Sequence, residues 1–386
     1  MSDSKITYVI FSPQPWNSQH SRTRSFAIEL SRLGYHTIYV NPPNSLAGIV
    51  RESVATVVYP LRRENVNFQN NFEMLEVWSP PILPTFYRGS LIPGFDRWLF
   101  KAWFDKRIKG IKNPIIAIIA MPYWWDGYLN DHIQNFAVTV FDYQDPIGIY
   151  ARTARIHQHM SEVFTELVIQ VNGVIAHTET NYKNILAHRK PSEVCLIRNA
   201  GNGASARRQS TSNNTGLSGH PVIGTIGRIS QNIDITLLLE LADHFPNGKV
   251  VNIGTVTEHG RLLKSKKNIV LMAPMSQDEL HSEINNFNVG ILPYHQSIEG
   301  SPLRIYDLLS ASIQVVSTNF PDAQYFRDVV HITSSHNEFI SKIKEVLFDK
   351  SKWIDRNIIE VFLRHNTWSQ SVSALVAFCE RLRDRK

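Results

Sequence analysis

Ile291-Leu-Pro-Tyr-His-Gln-Ser-Ile-Glu-Gly-Ser-Pro-Leu-Arg-Ile-Tyr-Asp-Leu-Leu-Ser-Ala-Ser-Ile-Gln-Val-Val-Ser-Thr318 is the stretch whose reading decides the fold. The run Val289 to Leu292 is short and apolar, as a buried strand should be. Glu299 and Gly300 belong to the loop after it. Ser301 and Pro302 read as N-cap and first helical residue, and Ile305, Leu308 and Leu309 make the apolar stripe of a helix. Val315 and Val316 open the next strand, so the unit is strand, loop, helix, strand. A helix start leaves backbone N–H groups free and carries partial positive charge, which suits an anion such as a diphosphate. Arg304 in the first turn is out of place on dipole grounds, and an anion between it and the helix start would account for it. A plain crossover whose Arg304 points to water is the other reading.

The same alternation runs outward in both directions. Upstream, Val222–Ile226 is a strand with Gly227-Arg228 as its turn, Ile235–His244 a helix, and Lys249–Ile253 a strand ending in Gly254. Asn268–Leu271 is a further strand, and Ser276-x-x-Glu279 is a capping box before a helix to Asn286. Val329–Ile332 and helical segments follow the central stretch. Gly203 to His220 is mostly Ser, Asn, Thr, Gly and Arg with one Leu, the composition of a linker.

Before that linker, Ile6–Phe11, a helix from Arg22 to Leu33 with Gly34 at its stop, and the strand Thr37–Val40 form an opening βαβ unit. Strand-like runs alternate with polar turns from Val54 to Trp78. Pro114–Ala120 is continuously apolar, as a central parallel strand should be. Val138–Asp145 is another strand, carrying Asp142 and Asp145 toward its carboxyl end. A helical stretch near Ser161–Val171, the strand Gly173–Ala176, a short helix after Thr178 and the strand Val194–Ile197 complete this half. No Gly-x-Gly-x-x-Gly is present, which removes the main support for dinucleotide binding.

The chain has 386 residues, 43% apolar and 19% charged, enough for two soluble globular domains with full cores. No apolar run of about 18 residues is present, and the start is too short and β-branched for a signal peptide. Cys195 and Cys379 are the whole cysteine content, which favours a reducing compartment, with the cytoplasm as default. The net charge of +6 suits phosphorylated ligands or an anionic surface. Nothing resembling a zinc finger, an RNP motif or a dense Lys/Arg run points to nucleic acid. The 15 His residues are scattered without metal-ligand spacing, so no metal is expected. Between Trp98 and Arg107, Trp98, Leu99, Trp103 and Phe104 fit one helical face with Arg97, Lys101, Lys106 and Arg107 around it. Two readings stand: a helix packed on its own sheet, or an amphipathic helix resting on anionic lipid at the inner face of the plasma membrane.

Taken together these residues resemble a GT-B glycosyltransferase of the retaining kind, similar to the large bacterial family four. The resemblance spans nearly the whole chain and is strongest from Val222 to Thr318. The family's two Glu residues, separated by seven others, correspond to Glu299 and Asp307, the second shorter by one methylene. Ser301-Pro-Leu-Arg-Ile-Tyr-Asp307 resembles the Ser-Pro-Leu-Lys-x-Tyr-Glu of a polysaccharide-building branch. Gly227-Arg228 matches the family's Gly-Arg, but the family's Lys a few residues on is absent, with Asn232 and Asp234 in that region. Arg198-Asn-Ala-Gly-Asn202 resembles the Pro-Asn-Gly-Val-Asp that ends the first domain.

The resemblance implies two Rossmann-like parallel-sheet domains facing each other across a cleft. The first covers residues 1–202, with 366–386 packing back on it; a linker covers 203–220; the second covers 221–365. It implies a nucleotide-sugar site of Gly227, Arg228, Glu299, Gly300, Ser301, Pro302, Leu303, Arg304 and Asp307. In that site Glu299 would bind donor-sugar hydroxyls and Asp307 the ribose hydroxyls. Arg228 and Arg304 would stabilise the departing phosphate without a metal. No cofactor is implied beyond the co-substrate, a UDP-, GDP- or dTDP-sugar, and the acceptor would be a glycan or lipid-linked glycan of a surface polysaccharide. Asp142 resembles a residue of the branch's Tyr-Asp-x-x-Asp and would stand near the acceptor hydroxyl, Arg228 and Glu299 being the other catalytic candidates. A helix N-cap is the other reading of Asp142. His20, Arg22, Arg24 and Asp145 are acceptor-side candidates, or solvated charges at a helix start. Two further functions stay open: a GT-B epimerase or hydrolase, for which Asp142 and Glu299 would be the opposed carboxylates, and a non-catalytic nucleotide-sugar-binding relic.

Overall fold

A computed structural model describes residues 6–17, 21–44, 74–83, 93–144, 154–203, 220–297 and 300–385. The chain divides into two compact units, Met1–Arg198 with Ser371–Lys386, and Asn199–Gln370. Within the first unit seven strands form one sheet: β1 (Thr7–Phe11), β2 (His36–Val40), β3 (Leu75–Trp78), β4 (Ile115–Ile119), β5 (Val138–Tyr143), β6 (Gly173–Ala176) and β7 (Val194–Leu196). Their order is β3-β2-β1-β4-β5-β6-β7, and every pairing is parallel. β1, β4 and β5 are buried along their whole length, and β4 accordingly reads as an unbroken apolar run rather than an alternating one.

The second unit repeats the plan with β8 (Val222–Ile226), β9 (Lys249–Ile253), β10 (Ile269–Met272), β11 (Val289–Leu292), β12 (Gln314–Thr318) and β13 (His331–Thr333), in the order β10-β9-β8-β11-β12-β13 and again all parallel. In each sheet the winding reverses once, between β1 and β4 and between β8 and β11. Open parallel sheets gather ligands outside the carboxyl ends of their strands at such a reversal.

The helix Pro93–Ile108 packs part of its aromatic segment into the first unit. Phe100, Phe104 and Ile108 are buried in the first unit's core, and half-buried Trp103 sits edge-on to Trp78 with Arg107 over both rings. The face proposed from Trp98, Leu99, Trp103 and Phe104 is therefore mostly a packing face. Trp98 of that face is the exception: it is 60% exposed and stacks at 5.7 Å on Phe95, itself 45% exposed.

The last helix, Trp368–Arg383, belongs to the first unit from Ser371 onward. There Phe378 and Leu382 are buried against Gly173 at the start of β6. A Cβ on that glycine would lie 2.5 Å from Leu382 Cδ1 and 2.7 Å from Phe378 Cζ.

Candidate functional site

In the second unit the loops after β8 and β9 lie against each other with bare backbone between them. Gly227 follows β8 at φ +97° and donates its N–H to the Ile253 carbonyl at 2.7 Å. Gly254 follows β9 at φ +152°, and a Cβ there would lie 2.2 Å from the Gly227 oxygen. Both positions demand glycine, one for its left-handed backbone and the other for close approach as well.

Arg304 is laid over this glycine turn. A Cβ on Gly227 would meet its Nη2 at 2.7 Å and its Cζ at 2.8 Å, so the absence of a side chain at 227 is what admits the guanidinium. The guanidinium carbon also stands 5.3 Å from the centroid of the buried Tyr294 ring, which follows β11. Arg304 Nη1 is buried and has no hydrogen-bond partner among the described residues. A buried charged donor without a partner is costly, so the position is suited to an anion. Arg228, next in the chain, is exposed and forms no ion pair with a described residue. Two cations thus flank the reversal point of the sheet.

The helix carrying Arg304 begins later than the sequence suggests. It runs Arg304–Ser310, its N-cap is Leu303, and no side chain caps it. Ser301 does not serve as N-cap and Pro302 is not helical. The reason is tertiary: Asn199 Nδ2 donates to the Ser301 carbonyl at 2.6 Å, and Tyr306 Oη donates to the Asn199 carbonyl. Held this way, 301–303 enter the helix through three-residue turns, from Ile305 N–H to the Pro302 carbonyl and from Tyr306 N–H to the Leu303 carbonyl. Gly300, at φ +149°, precedes them. Glu299 lies outside the described residues.

Asp307, one turn beyond Arg304, is half-buried and accepts from Gln277 Nε2 at 3.3 Å. Burial is the main influence on its carboxyl, pushing its pKa up to about 6; His281, the Gln277 hydrogen bond and Arg304 pull the other way. Asp234, in the region where the family resemblance puts a Lys, is committed elsewhere. It caps the helix Ile235–His244 through Leu237 N–H and pairs with His336 at 2.9 Å.

The acceptor-side candidates meet in the first unit. Asp142 lies within β5, fully buried, with both carboxylate oxygens 3.1 Å from Arg22 Nε. Because Asp142 is a strand residue, it is no helix N-cap. Arg22, the first residue of the helix Arg22–Arg32, also donates to the Ile197 carbonyl at 2.8 Å and lies over the Phe26 ring. Burial, reinforced by Arg22, pushes the pKa of nearby His177 down to about 3, so that ring is neutral. Arg24 packs over Trp16 at 5.0 Å. His20 and Asp145 lie outside the described residues.

The structure thus brings Gly227 and Arg304 into contact, with Asp307 one helical turn away, and separately joins Arg22 to Asp142. Sequence reasoning did not single out Gln277, His281 or Tyr294, and placed Asn199 only within the Arg198–Asn202 motif without the contacts it makes. A capping box located the helix Gln277–Ile284, but nothing local reveals that Gln277 turns toward Asp307. Among the described residues no cluster of three or more His, Cys, Asp or Glu could hold a metal ion, and no helix is long and apolar enough to cross a membrane.

No family model matches the chain. Over 107 residues it is 28% identical to a Bacillus subtilis (strain 168) protein described as "Putative teichuronic acid biosynthesis glycosyltransferase TuaH". That match takes in 26% of this chain and 27% of the relative's length. Among solved structures, the sucrose-phosphate synthase of Thermosynechococcus elongatus superposes with a TM-score of 0.69 at 12% identity, covering 98% of each chain. Anabaena Alr3699/HepE, solved in complex with UDP, gives 0.66 at 11% identity over 97% of this chain and 98% of its own. Two parallel sheets with this strand order, matched over nearly the full chain, are the GT-B fold of glycosyltransferases.

Proposed function

On this GT-B fold we propose a glycosyltransferase that moves a sugar, with retention, from a nucleoside-diphosphate sugar to a glycan or lipid-linked acceptor in bacterial surface polysaccharide synthesis. One observation carries the reading: Arg304 lies on the bare Gly227 turn with Nη1 buried and unmatched, at the reversal point between β8 and β11. Departure of a diphosphate from an oxocarbenium-like carbon builds negative charge on phosphate oxygen. Arg304 and Arg228 supply preorganised positive charge for it, so the reaction proceeds without a metal. Glu299 binds donor-sugar hydroxyls, Asp307 the ribose, and the 300–303 segment lines the phosphate side. The names of the similar proteins support this: one is assigned to teichuronic acid biosynthesis, and another was solved with UDP.

Arg22 and Asp142 act in this reading as a buried strut, with Arg24 nearest the acceptor. Phe95 and Trp98, beside exposed Arg97, Lys101 and Lys106, rest on anionic lipid where a lipid-linked acceptor is presented. Thermal-shift titration with UDP, GDP, dTDP and their sugars tests the donor site, since ligand at about 100 times its Kd adds roughly 2.7 kcal/mol of stability. No shift with any of them sinks the proposal. Binding without transfer, to any lipid-linked or glycan acceptor tried, would favour the non-catalytic relic. Co-flotation with anionic liposomes at low salt tests the lipid contact; Trp98→Ala should abolish it.

A further inference from the structure

Asp307 is not alone in its pocket. From the neighbouring helix Gln277–Ile284, Gln277 Nε2 stands 3.3 Å from Asp307 Oδ1 and 3.1 Å from His281 Nε2. An amide nitrogen carries two N–H groups and accepts nothing, so Gln277 donates one bond to each neighbour. His281 Nε2 is then an acceptor, and its ring proton sits on Nδ1. Turning the amide over would set Oε1 against the carboxylate, oxygen against oxygen, so an ionised Asp307 selects the orientation seen. One of the lone pairs of Oδ1 is occupied by this bond, which leaves Oδ2 and the remaining direction of Oδ1 to receive hydroxyls.

We infer that Gln277 is a positioning residue that aims the Asp307 carboxylate at the paired 2′ and 3′ hydroxyls of a ribose, making the site selective for ribonucleoside over 2′-deoxyribonucleoside diphosphates. The inference rests on the donor-site reading above and narrows it, favouring UDP or GDP as carrier over dTDP. Asp is one methylene shorter than Glu and reaches less far, so its direction matters more, and a fixed donor beside it holds that direction. A site built around a substrate hydroxyl rejects the analogue lacking it, because the carboxylate is then left buried with an unmet acceptor. The charge state of the carboxylate matters too. The groups that face it are His281 and Gln277 from one helix and Arg304 from its own; Gln277 and Arg304 favour the ionised form against burial, as His281 does only when protonated. With a folded-state value near 6, the carboxylate accepts fully above that pH and loses the role as pH falls through it.

Calorimetric titration of the full chain with UDP, 2′-deoxy-UDP, GDP and 2′-deoxy-GDP between pH 5 and 8 tests this, in wild type and in Gln277→Leu. For the nucleotide that binds, wild type should prefer the ribose form by about tenfold, the size of a hydrogen bond to a charged group. Affinity should fall as the pH drops below about 6, following the Asp307 carboxyl. Gln277→Leu should lose most of the ribose preference and move the pH midpoint upward, because it removes a donor that favours the ionised form. Gln277→Glu, which sets like charge beside Asp307, should move it further. A half-buried first helical position that is not one of the two capping-box side chains tolerates these changes, and unchanged unfolding midpoints would verify that. Silence with every nucleotide overturns the donor reading itself. Binding with an intact ribose preference and an unmoved midpoint in Gln277→Leu overturns the role of Gln277 alone.

Discussion

Two arginines share a local address and differ in everything else. Arg22 and Arg304 are each the first residue of a helix, where the dipole disfavours a cation. In the first unit the protein supplies the answering charge itself: Asp142 reaches from β5 to Arg22 Nε, and the Ile197 carbonyl takes Nη2. In the second unit the guanidinium rests on a glycine and an aromatic ring, with Nη1 unmatched among the described residues. The first arrangement is closed and belongs to the framework. The second is open at Nη1 among the described residues, which suits the position to an anion. A cation at a helix start is thus no signature of function; what distinguishes the two is whether a carboxylate among the described residues already meets it.

The comparison breaks most readily at Asp142. Asp142→Ala leaves Arg22 buried without its carboxylate, and should cost about 3–5 kcal/mol in urea unfolding. An unchanged unfolding midpoint with lost transfer would make Asp142 a group that acts on substrate rather than a strut. Next comes Arg304→Ala, which should lower transfer about 10²–10³-fold, as loss of a preorganised charge donor does, while leaving the unfolding midpoint where it was. A stability loss like that of Asp142→Ala would erase the distinction between the two arginines. Gly227→Ala should cost about 1–2 kcal/mol from its left-handed backbone, and should also displace Arg304 and weaken nucleotide binding in the thermal-shift titration. Wild-type affinity there would show that the close approach is unnecessary.

The smallest effect concerns a pair between the two extremes, Asp234 with His336. Burial works against the charged ring of His336, but hydrogen bonds to Asp234 and Glu240 outweigh it and raise its pKa above the ordinary value. A group with a raised folded-state pKa stabilises fully below its unfolded value and loses that contribution as pH rises through the folded one. Melting temperature should therefore decline slightly from about pH 6.5 upward, and His336→Gln should flatten the decline. The pair is part-exposed, so the effect stays small.

Much of this was legible in the chain because the signals are local. Val222–Ile226, Ile235–His244 and Lys249–Ile253 occur with the boundaries their apolar patterns imply, and the Ser276–Glu279 capping box has both of its hydrogen bonds. Gly227 and Arg304 stood out for the same reason, one as a turn after a strand and the other as a cation misplaced in a first turn. What was hidden depends on partners far along the chain. Ser301 looks like an N-cap until Asn199, about a hundred positions earlier, takes its carbonyl. Asp142 looks like a strand-end carboxylate until Arg22 arrives from the opening helix. Gln277 carries no local mark of the carboxylate it meets. Caps, turns and periodicity are written in sequence neighbours; the commitment of a charged side chain is written by the fold.

The packing of Phe378 and Leu382 onto Gly173 also sets an order of events. The second unit, Asn199–Gln370, is continuous in the chain, so a ribosome releases all of it before Ser371–Lys386 appears. The first unit begins earlier but is completed only when Ser371–Lys386 emerges and brings Phe378 and Leu382 to Gly173. Domains fold as units during synthesis, so the later-made one closes first and the earlier-made one waits with an unfinished face. Truncation within the last helix should then leave a nascent chain whose second half resists protease while its first half does not.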